Sequence, residues 1–237
     1  MKIALIGYGK MGKEIEQQAL STGHQILLCV DAHSKITIKD LKYADVAIEF
    51  TQPNAVIKNI QLCFDANVPI VVGTTGWYNE LEKIIAQCNL QKQALIYASN
   101  FSIGVNLFFE LNKILARMMN NYDSYDVSIE ETHHKQKLDT PSGTAITLAE
   151  QIIEELKRKS KWSLTPDKAQ QLLINSYRED DVTGNHSVIY TSTIDSIEIK
   201  HTAHNRKGFA QGALLAAEWL IGKQGVFTMK DALFHYR

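Results

Sequence analysis

The chain opens with an apolar strand that runs straight into a glycine turn and a helix: Ile3-Ala4-Leu5-Ile6-Gly7-Tyr8-Gly9-Lys10-Met11-Gly12. Few short patterns restrict a fold so tightly. Gly7 permits the tight turn, Gly9 lets a ligand approach the backbone, and Gly12 lets the helix close on the strand it follows. The first amides of such a helix have no partner within it, so the turn favours an anion and suits a pyrophosphate. Asp31 ends the next apolar run, about 20 residues on, where an acidic side chain accepts hydrogen bonds from ribose hydroxyls. The bland alternative is a glycine turn that only lets a helix pack. It explains neither the position behind the first strand nor Asp31. Gly7, Tyr8, Gly9, Lys10, Met11, Gly12 and Asp31 are therefore read as a dinucleotide cradle.

The rest of the first half repeats the alternation. Apolar runs at 2–6, 25–30, 46–50, 70–72 and 94–98 are separated by helical patterns at 10–20, 55–66 and 78–88. Strands alternating with helices predict an α/β fold, a Rossmann-type doubly wound parallel sheet covered on both faces. Ligands bind such sheets beyond the carboxyl ends of the strands. Two later loops fall there, Gly73-Thr74-Thr75-Gly76 and Ala98-Ser99-Asn100-Phe101. Their small residues leave room for a ribose and a nicotinamide ring, although without the first motif they would read as ordinary strand exits.

After Asn100 the pattern changes. Residues 103–121 read as a helix, 123–134 as a strand, and Ala145, Leu148, Ala149, Ile152, Ile153 and Leu156 recur at helical spacing. Residues 187–202 read as a hairpin broken at Asp195-Ser196, and 208–221 as a last helix. The polar stretch 157–167 reads as a solvated helix end and loop. These elements predict a separate α+β domain with a mixed sheet. The expected division is a dinucleotide-binding domain, 1–100 completed by 207–237, and a second domain, 101–206.

The densest chemistry lies in that second domain, in Glu131-Thr132-His133-His134-Lys135-Gln136-Lys137-Leu138-Asp139-Thr140-Pro141-Ser142-Gly143-Thr144-Ala145. Neighbours on a strand point to opposite faces, so His133 and His134 are not expected to hold one metal ion, and no third ligand stands at a suitable spacing. One imidazole can serve as a general acid while the other holds a substrate. Lys137 adds a fixed positive charge and a second proton donor. Thr140-Pro141 reads as a helix cap and first helical residue, which leaves Ser142, Gly143 and Thr144 to offer amides and hydroxyls to a carboxylate. Asp139 is given no chemistry beyond orienting the turn. The alternative reading is a polar surface loop before a well-capped helix.

Bulk properties narrow the partners. A formal charge of -1 over 237 residues provides no basic field for nucleic acid. Cys29, Cys63 and Cys88 are scattered through apolar segments and read as reduced core thiols. The first residues enter a strand without the apolar region of a signal peptide, and no run approaches the roughly 18 residues of a membrane span. The expected location is the cytoplasm.

Together these segments resemble the dihydrodipicolinate reductase family. The central run carries Glu131-Thr132-His133-His134-x-x-Lys137-x-Asp139-x-Pro141-Ser142-Gly143-Thr144-Ala145. Supporting segments are Gly7 to Gly12, Glu49-Phe50-Thr51, Gly73-Thr74-Thr75-Gly76, Ser99-Asn100-Phe101-Ser102-x-Gly104-Val105-Asn106 and Arg206-x-x-Phe209-Ala210-x-Gly212-Ala213. The resemblance implies reduction of a cyclic dicarboxylate to tetrahydrodipicolinate with NADH or NADPH, in diaminopimelate and lysine biosynthesis. It implies that His133 is the general acid/base and Lys137 the proton donor. His134, Gly143 and Thr144 then fall at substrate-binding positions, and Gly7 to Gly12, Asp31, Gly73 to Thr75 and Ala98 to Phe101 in cofactor-binding segments. It implies a homotetramer built through the sheet of the substrate domain. Two departures stand out: the stretch from Asp31 to Asp45 is short for the family, and Ala32 and Gln52 stand where basic residues are common. Lys35 could substitute, but Asp31 repels a 2′-phosphate, so a preference for NADH is expected. The competing expectations are another small-acid dehydrogenase on the same architecture and a non-catalytic NAD(H)-binding module.

Overall fold

The structure, a computed structural model, describes residues 1–234; the last three residues of the expected segment 207–237 lie outside the described residues. The chain packs as two units, Met1–Ile103 together with the chain from Arg206 on, and Gly104–Asn205.

The first unit begins with β1 (Lys2–Ile6), α1 (Lys10–Ser21), β2 (Gln25–Val30), α2 (Ile38–Leu41), β3 (Val46–Glu49), α3 (Pro53–Asp65), β4 (Ile70–Val72), α4 (Leu81–Leu90) and β5 (Ala94–Tyr97). The second contains α5 (Ile103–Met119, its first residue excepted), β6 (Asp126–His133), α6 (Gly143–Glu155), β7 (Lys161–Ser163), β8 (Gln171–Arg178), β9 (Gly184–Thr191) and β10 (Ser196–Ala203). The chain then returns to the first unit with α7 (Lys207–Leu220), β11 (Gly225–Thr228) and α8 (Met229–Leu233).

The first sheet has the order β11-β5-β4-β3-β1-β2, and each of its pairs is parallel. Its central strands β1, β3, β4 and β5 are buried on both faces, which is why they read as apolar runs, whereas the edge strand β2 alternates exposed and half-buried residues. Ile3, Leu5, Val46, Ile48, Val71 and Ile96 face α1, α7 and α8. Ala4, Ile6, Ala47, Ile70, Val72 and Leu95 face α3 and α4. Each fully buried Leu or Ile side chain contributes about 1.5–3 kcal/mol. The sixth strand, β11, was not expected; four half-buried residues at a sheet edge carry little sequence signal. α7 packs close because its inner face is small: Ala210, Gly212, Ala213, Ala216 and Ala217 are all buried. A Cβ on Gly212 would overlap the carbonyl of Phe101.

The second sheet has the order β10-β9-β6-β8-β7 and is mixed. β6 pairs parallel with β8 and antiparallel with β9, while β9 and β10 form the expected hairpin. β7 corrects part of the reading of 157–167 as a helix end and loop, and β8, beyond that stretch, was not expected. β7 is only three residues long and exists by pairing with β8. β8, Gln171-Leu-Leu-Ile-Asn-Ser-Tyr-Arg178, shows no clean alternation to announce it. Val127, Ile129, Leu172, Ile174, Val188 and Tyr190 form one face and pack with Phe108, Phe109 and Ala116 of α5 and Leu148 and Ile152 of α6.

Gly212→Ala is expected to cost about 1–3 kcal/mol, the usual cost of overpacking a tight contact. Gly208→Ala, whose Cβ would stand 3.6 Å from the Ser102 hydroxyl, is expected to cost much less. Thermal unfolding of the two variants checks the ordering.

Candidate functional site

In the first unit the glycine turn divides its work as its spacing suggests. A Cβ on Gly7 would overlap the Phe50 carbonyl, and one on Gly12 would stand 2.5 Å from the Gly7 carbonyl oxygen. A Cβ on Gly9 would meet nothing within 4 Å. Gly7 and Gly12 are therefore required by packing, and Gly9 keeps space open before α1. The amides of Gly7 and Tyr8 both donate to the Val30 carbonyl, at 2.8 and 2.9 Å, which ties the turn to the end of β2.

A cavity of about 1010 Å³ opens beside this turn. Gly7, Tyr8, Gly9, Asp31, Lys35 and Lys58 are among the residues that line it. One oxygen of Asp31 accepts from the Ser34 hydroxyl at 2.7 Å and the His33 amide at 2.9 Å. The Ser34 bond, then the His33 bond, hold the Asp31 carboxyl below the usual carboxylate range. An ionised acceptor at the cavity wall suits ribose hydroxyls. Lys58, from α3, was not foreseen. Lys10, Met11 and Gly12 lie in the first turns of α1 and do not line this cavity.

The two later loops are not part of its lining either. Gly73 is shaped by packing, since a Cβ there would overlap the Phe50 ring. Thr74 is buried and turned inward: its hydroxyl accepts from the Thr51 amide at 2.7 Å, and its carbonyl accepts from the Trp77 indole at 2.8 Å. Thr75 is exposed. Ala98 is half-buried and Ser99 exposed, while the Asn100 side chain accepts from the Ser102 amide at 2.8 Å. Phe101 is a core side chain against Phe50, with ring centroids 5.9 Å apart. Behind these loops lies Glu49, fully buried and bonded to Thr51 and Asn59. Burial pushes its carboxyl up.

In the second unit, strand register stacks the site on the core. Ile129 pairs with Ile174 and Val188; the next inward layer is Glu131 with Ser176 and His186; the last is His133 with Arg178. Gly184 closes that last layer, since a Cβ there would stand 3.0 Å from His133 Nε2. Glu131 is fully buried and His133 nearly so. The Glu131 carboxylate contacts His133 Nδ1 and accepts from Arg178 at 3.0 Å. Burial alone would raise the Glu131 carboxyl, but the bonds from His133 and Arg178 outweigh it and hold it well below the usual range. The His186 ring meets that of His133 edge-on, at 5.0 Å between centroids. Burial lowers the His186 imidazole from 6.5 to about 3, so it is neutral near pH 7.

The segment after β6 differs from its reading in one respect. α6 begins at Gly143, and its cap is Ser142, whose hydroxyl accepts from the Ala145 amide at 3.2 Å. Thr140 is not the cap, since the helix starts beyond Ser142; its hydroxyl accepts instead from Arg178 at 2.9 Å. The Thr140-Pro141 bond is cis. Ser142 is buried and also meets His186 Nε2 at 3.0 Å, so its hydroxyl is engaged within the protein. Gly143 is exposed and Thr144 half-buried at the helix start. His134 lies just past β6, half-buried, with Nδ1 buried and unpartnered. Lys137 Nζ sits 2.8 Å from both oxygens of Asp139, so Asp139 holds the lysine head.

Sequence reasoning missed Glu131, Arg178, His186 and Gly184. Glu131 was visible in principle, since it lies two residues before His133 and thus on the same strand face. The other three depend on the register of β8 and β9. Ligand atoms of Glu131, His133 and His186 lie within 4.8 Å of one another, a third-ligand arrangement that spacing did not reveal. Arg178 already supplies the cation that Glu131 faces.

The fold and these two sites define a class: two-unit α/β proteins with a dinucleotide-type glycine cradle on one unit and a carboxylate-held histidine beside a helix start on the other. Residues 1–101 match the family model for the N-terminus of dihydrodipicolinate reductase, and residues 104–233 match that for its C-terminus. The chain belongs to the dihydrodipicolinate reductase family. The 4-hydroxy-tetrahydrodipicolinate reductase of Christiangramia forsetii is 50% identical over 235 residues, 98% of each chain. That of Acinetobacter baylyi is 32% identical over 264 aligned positions, 98% of this chain and 96% of its own. A dipicolinate-bound dihydrodipicolinate reductase from Paenisporosarcina sp. TG-14 shares the fold, with TM-score 0.80, 23% identity and 99% of each chain covered.

Acid sensitivity follows from the buried groups. Between its ordinary value of 6.5 and about 3, His186 binds a proton in the unfolded chain and not in the folded one. Stability therefore falls as pH drops below about 6.5. Burial lowers His201 too, with the same sign. Glu131 stabilises the fold at pH above its ordinary value of 4.5, and that contribution is lost as pH falls through its lowered value. Urea unfolding from pH 7 to 5 should show a decline that His186→Gln flattens, because the carboxylate loss begins only at lower pH.

Proposed function

We propose that this protein is a 4-hydroxy-tetrahydrodipicolinate reductase, converting a cyclic dicarboxylate to tetrahydrodipicolinate with NADH or NADPH in diaminopimelate and lysine biosynthesis. Family membership and the 50% identical relative support the activity. The observation that carries the residue roles is the layer in which His133, engaged by Glu131 through Nδ1, lies beside Arg178 and the start of α6. On this reading residues 1–100 with 207–237 bind the dinucleotide, and residues 101–206 bind substrate and assemble the oligomer.

The cradle fits a nicotinamide dinucleotide: Gly9 leaves its backbone open, and ionised Asp31 faces the cavity. Gly7 to Gly12 would hold the pyrophosphate, Asp31 the ribose, and the loops at 73–75 and 98–101 the remainder, chiefly through backbone. The bound cofactor supplies the hydride that replaces a ring hydroxyl, which leaves as water with a proton. His133 delivers that proton as general acid, and Lys137, held by Asp139, is the second donor. His134 and the start of α6, Ser142, Gly143 and Thr144, offset the charge of the two carboxylates. Holding both carboxylates fixes the ring for reaction. The Ser142 hydroxyl is committed to the cap, so its part would run through the backbone.

Cofactor choice turns on the same wall. Asp31 is ionised and disfavours a 2′-phosphate, whereas Lys35 and Lys58 would attract one. Asp31 is the group anchored by hydrogen bonds, which supports a preference for NADH. A homotetramer built on the second sheet is supported by the helices lying on one face, while Tyr177 on the other is 46% exposed. Unpaired cysteines fit the reducing cytoplasm.

Pyruvate, aspartate semialdehyde and the upstream synthase, with this protein added, should oxidise NADH, read as falling absorbance. A non-catalytic module would bind NADH and leave the absorbance flat. Another small-acid dehydrogenase would ignore this substrate and oxidise or reduce a different acid. His133→Ala and Lys137→Ala should each lower kcat by about 10²–10⁴, the usual weight of a positioned proton donor, with NADH binding retained. Near-normal rates in both would remove the assigned roles. kcat/KM should be higher with NADH than NADPH, and the reverse order would defeat the cofactor assignment.

A further inference from the structure

Both oxygens of the Glu131 carboxylate are committed, and to different partners. One meets His133 Nδ1; the other accepts from Arg178 at 3.0 Å and, at 3.4 Å, from the Ser142 amide. Arg178 continues past it. Its other terminal nitrogen donates to the Asp139 carbonyl at 2.7 Å and to the Thr140 hydroxyl at 2.9 Å. That second arm does not compensate Glu131. It fastens the loop that leads to Ser142 and α6. One buried carboxylate thus connects the histidine to the segment that would hold the substrate's carboxylates.

The histidine has two ring nitrogens, and with Nδ1 on Glu131 only Nε2 is left for substrate. Gly184 keeps that nitrogen clear, because a Cβ there would stand 3.0 Å from Nε2 and 3.2 Å from Cδ2. The charged and titratable groups nearby are Glu131 on β6, Arg178 on β8, His186 on β9 and Lys137 in the loop. His186 is neutral near pH 7, so it adds no charge to the ring's surroundings.

Resting on the reductase reading of this site, we propose that Glu131 and Arg178 are positioning residues. Glu131 sets His133 with Nε2 toward the substrate, Arg178 ties that acid to the loop that builds the carboxylate pocket, and Gly184 leaves the reacting nitrogen unobstructed.

Glu131→Gln keeps the shape and removes the charge. It should lower kcat by about 100-fold or more, the scale of positioned proton transfer, while KM for the dicarboxylate changes little. Arg178→Lys retains a cation for Glu131 but cannot span to the loop as a planar fork does. It should raise KM by about tenfold. Wild-type kcat in Glu131→Gln, or wild-type KM in Arg178→Lys, overturns the proposal. If Glu131→Gln does not fold, Gly184→Ala carries the first arm: kcat should fall with NADH affinity kept, and an unchanged kcat overturns it. Imidazole ¹⁵N shifts separate this from the reductase reading. In its neutral form His133 should be the Nδ1–H tautomer in the wild type whether or not the dicarboxylate is turned over, and a mixed tautomer defeats the positioning role. Wild-type protein inert toward the dicarboxylate, with the tautomer as expected, would defeat only the reductase reading.

Discussion

Taking a carboxylate out of water costs several kcal/mol unless cations and hydrogen-bond donors replace its hydration, and Glu131 is taken out completely. The arrangement of the second unit answers that cost. β8 must run parallel to β6 in the register that brings Arg178 level with His133. β9 must run antiparallel so that His186 stands opposite Glu131. The loop after β6 must return its own oxygens to Arg178. Each of these places a group beside His133 or Glu131, and the bonds from His133 and Arg178 are what hold the one buried charge. Removing a member of such a set leaves an unpaired buried ion, which is more damaging than never having had the pair.

The first unit solves a different problem, that of bringing backbones close. Gly7, Gly12, Gly73 and Gly212 each touch a carbonyl or a ring where a methyl group has no room. Among the three glycines of the turn, Gly9 is the one that faces open space. The same residue type thus serves packing at one position and access at another two residues away. Asp31 shows a comparable economy: the bonds from Ser34 and His33 that fix it also keep it ionised.

How far the sequence could be read depended on where the information lay. The parallel sheet was legible because its central strands β1, β3, β4 and β5 are buried on both faces and read as short, mainly apolar runs between helical patterns. His133 and Lys137 were legible because they lie in one continuous segment. Arg178 and His186 were not, since they reach His133 only through pairings of β6 with two strands, one of which has no alternation. The helix cap moved from Thr140 to Ser142 for a related reason. Local pattern pointed to Thr140, but the helix starts at Gly143, and Thr140 instead meets Arg178, 38 positions away. The loops at 73–75 and 98–101 follow β4 and β5, where strand exits were expected, yet the side chains of Thr74 and Phe101 turned out to serve the core.

The first unit is written in two pieces, with the whole second unit between them. Its inner helix α7 and its edge strand β11 are synthesised after the whole of the second unit. Until they arrive, Ile3, Leu5, Ile48 and Ile96 lack the alanine face that covers them. The sheet beneath the glycine turn, the first motif encoded, is therefore completed only after the histidine-bearing strand has been made. A substitution within α7 or β11 damages the core of the first unit rather than that of the unit that precedes them in sequence. The core begun at β1 is closed by segments made after Arg206.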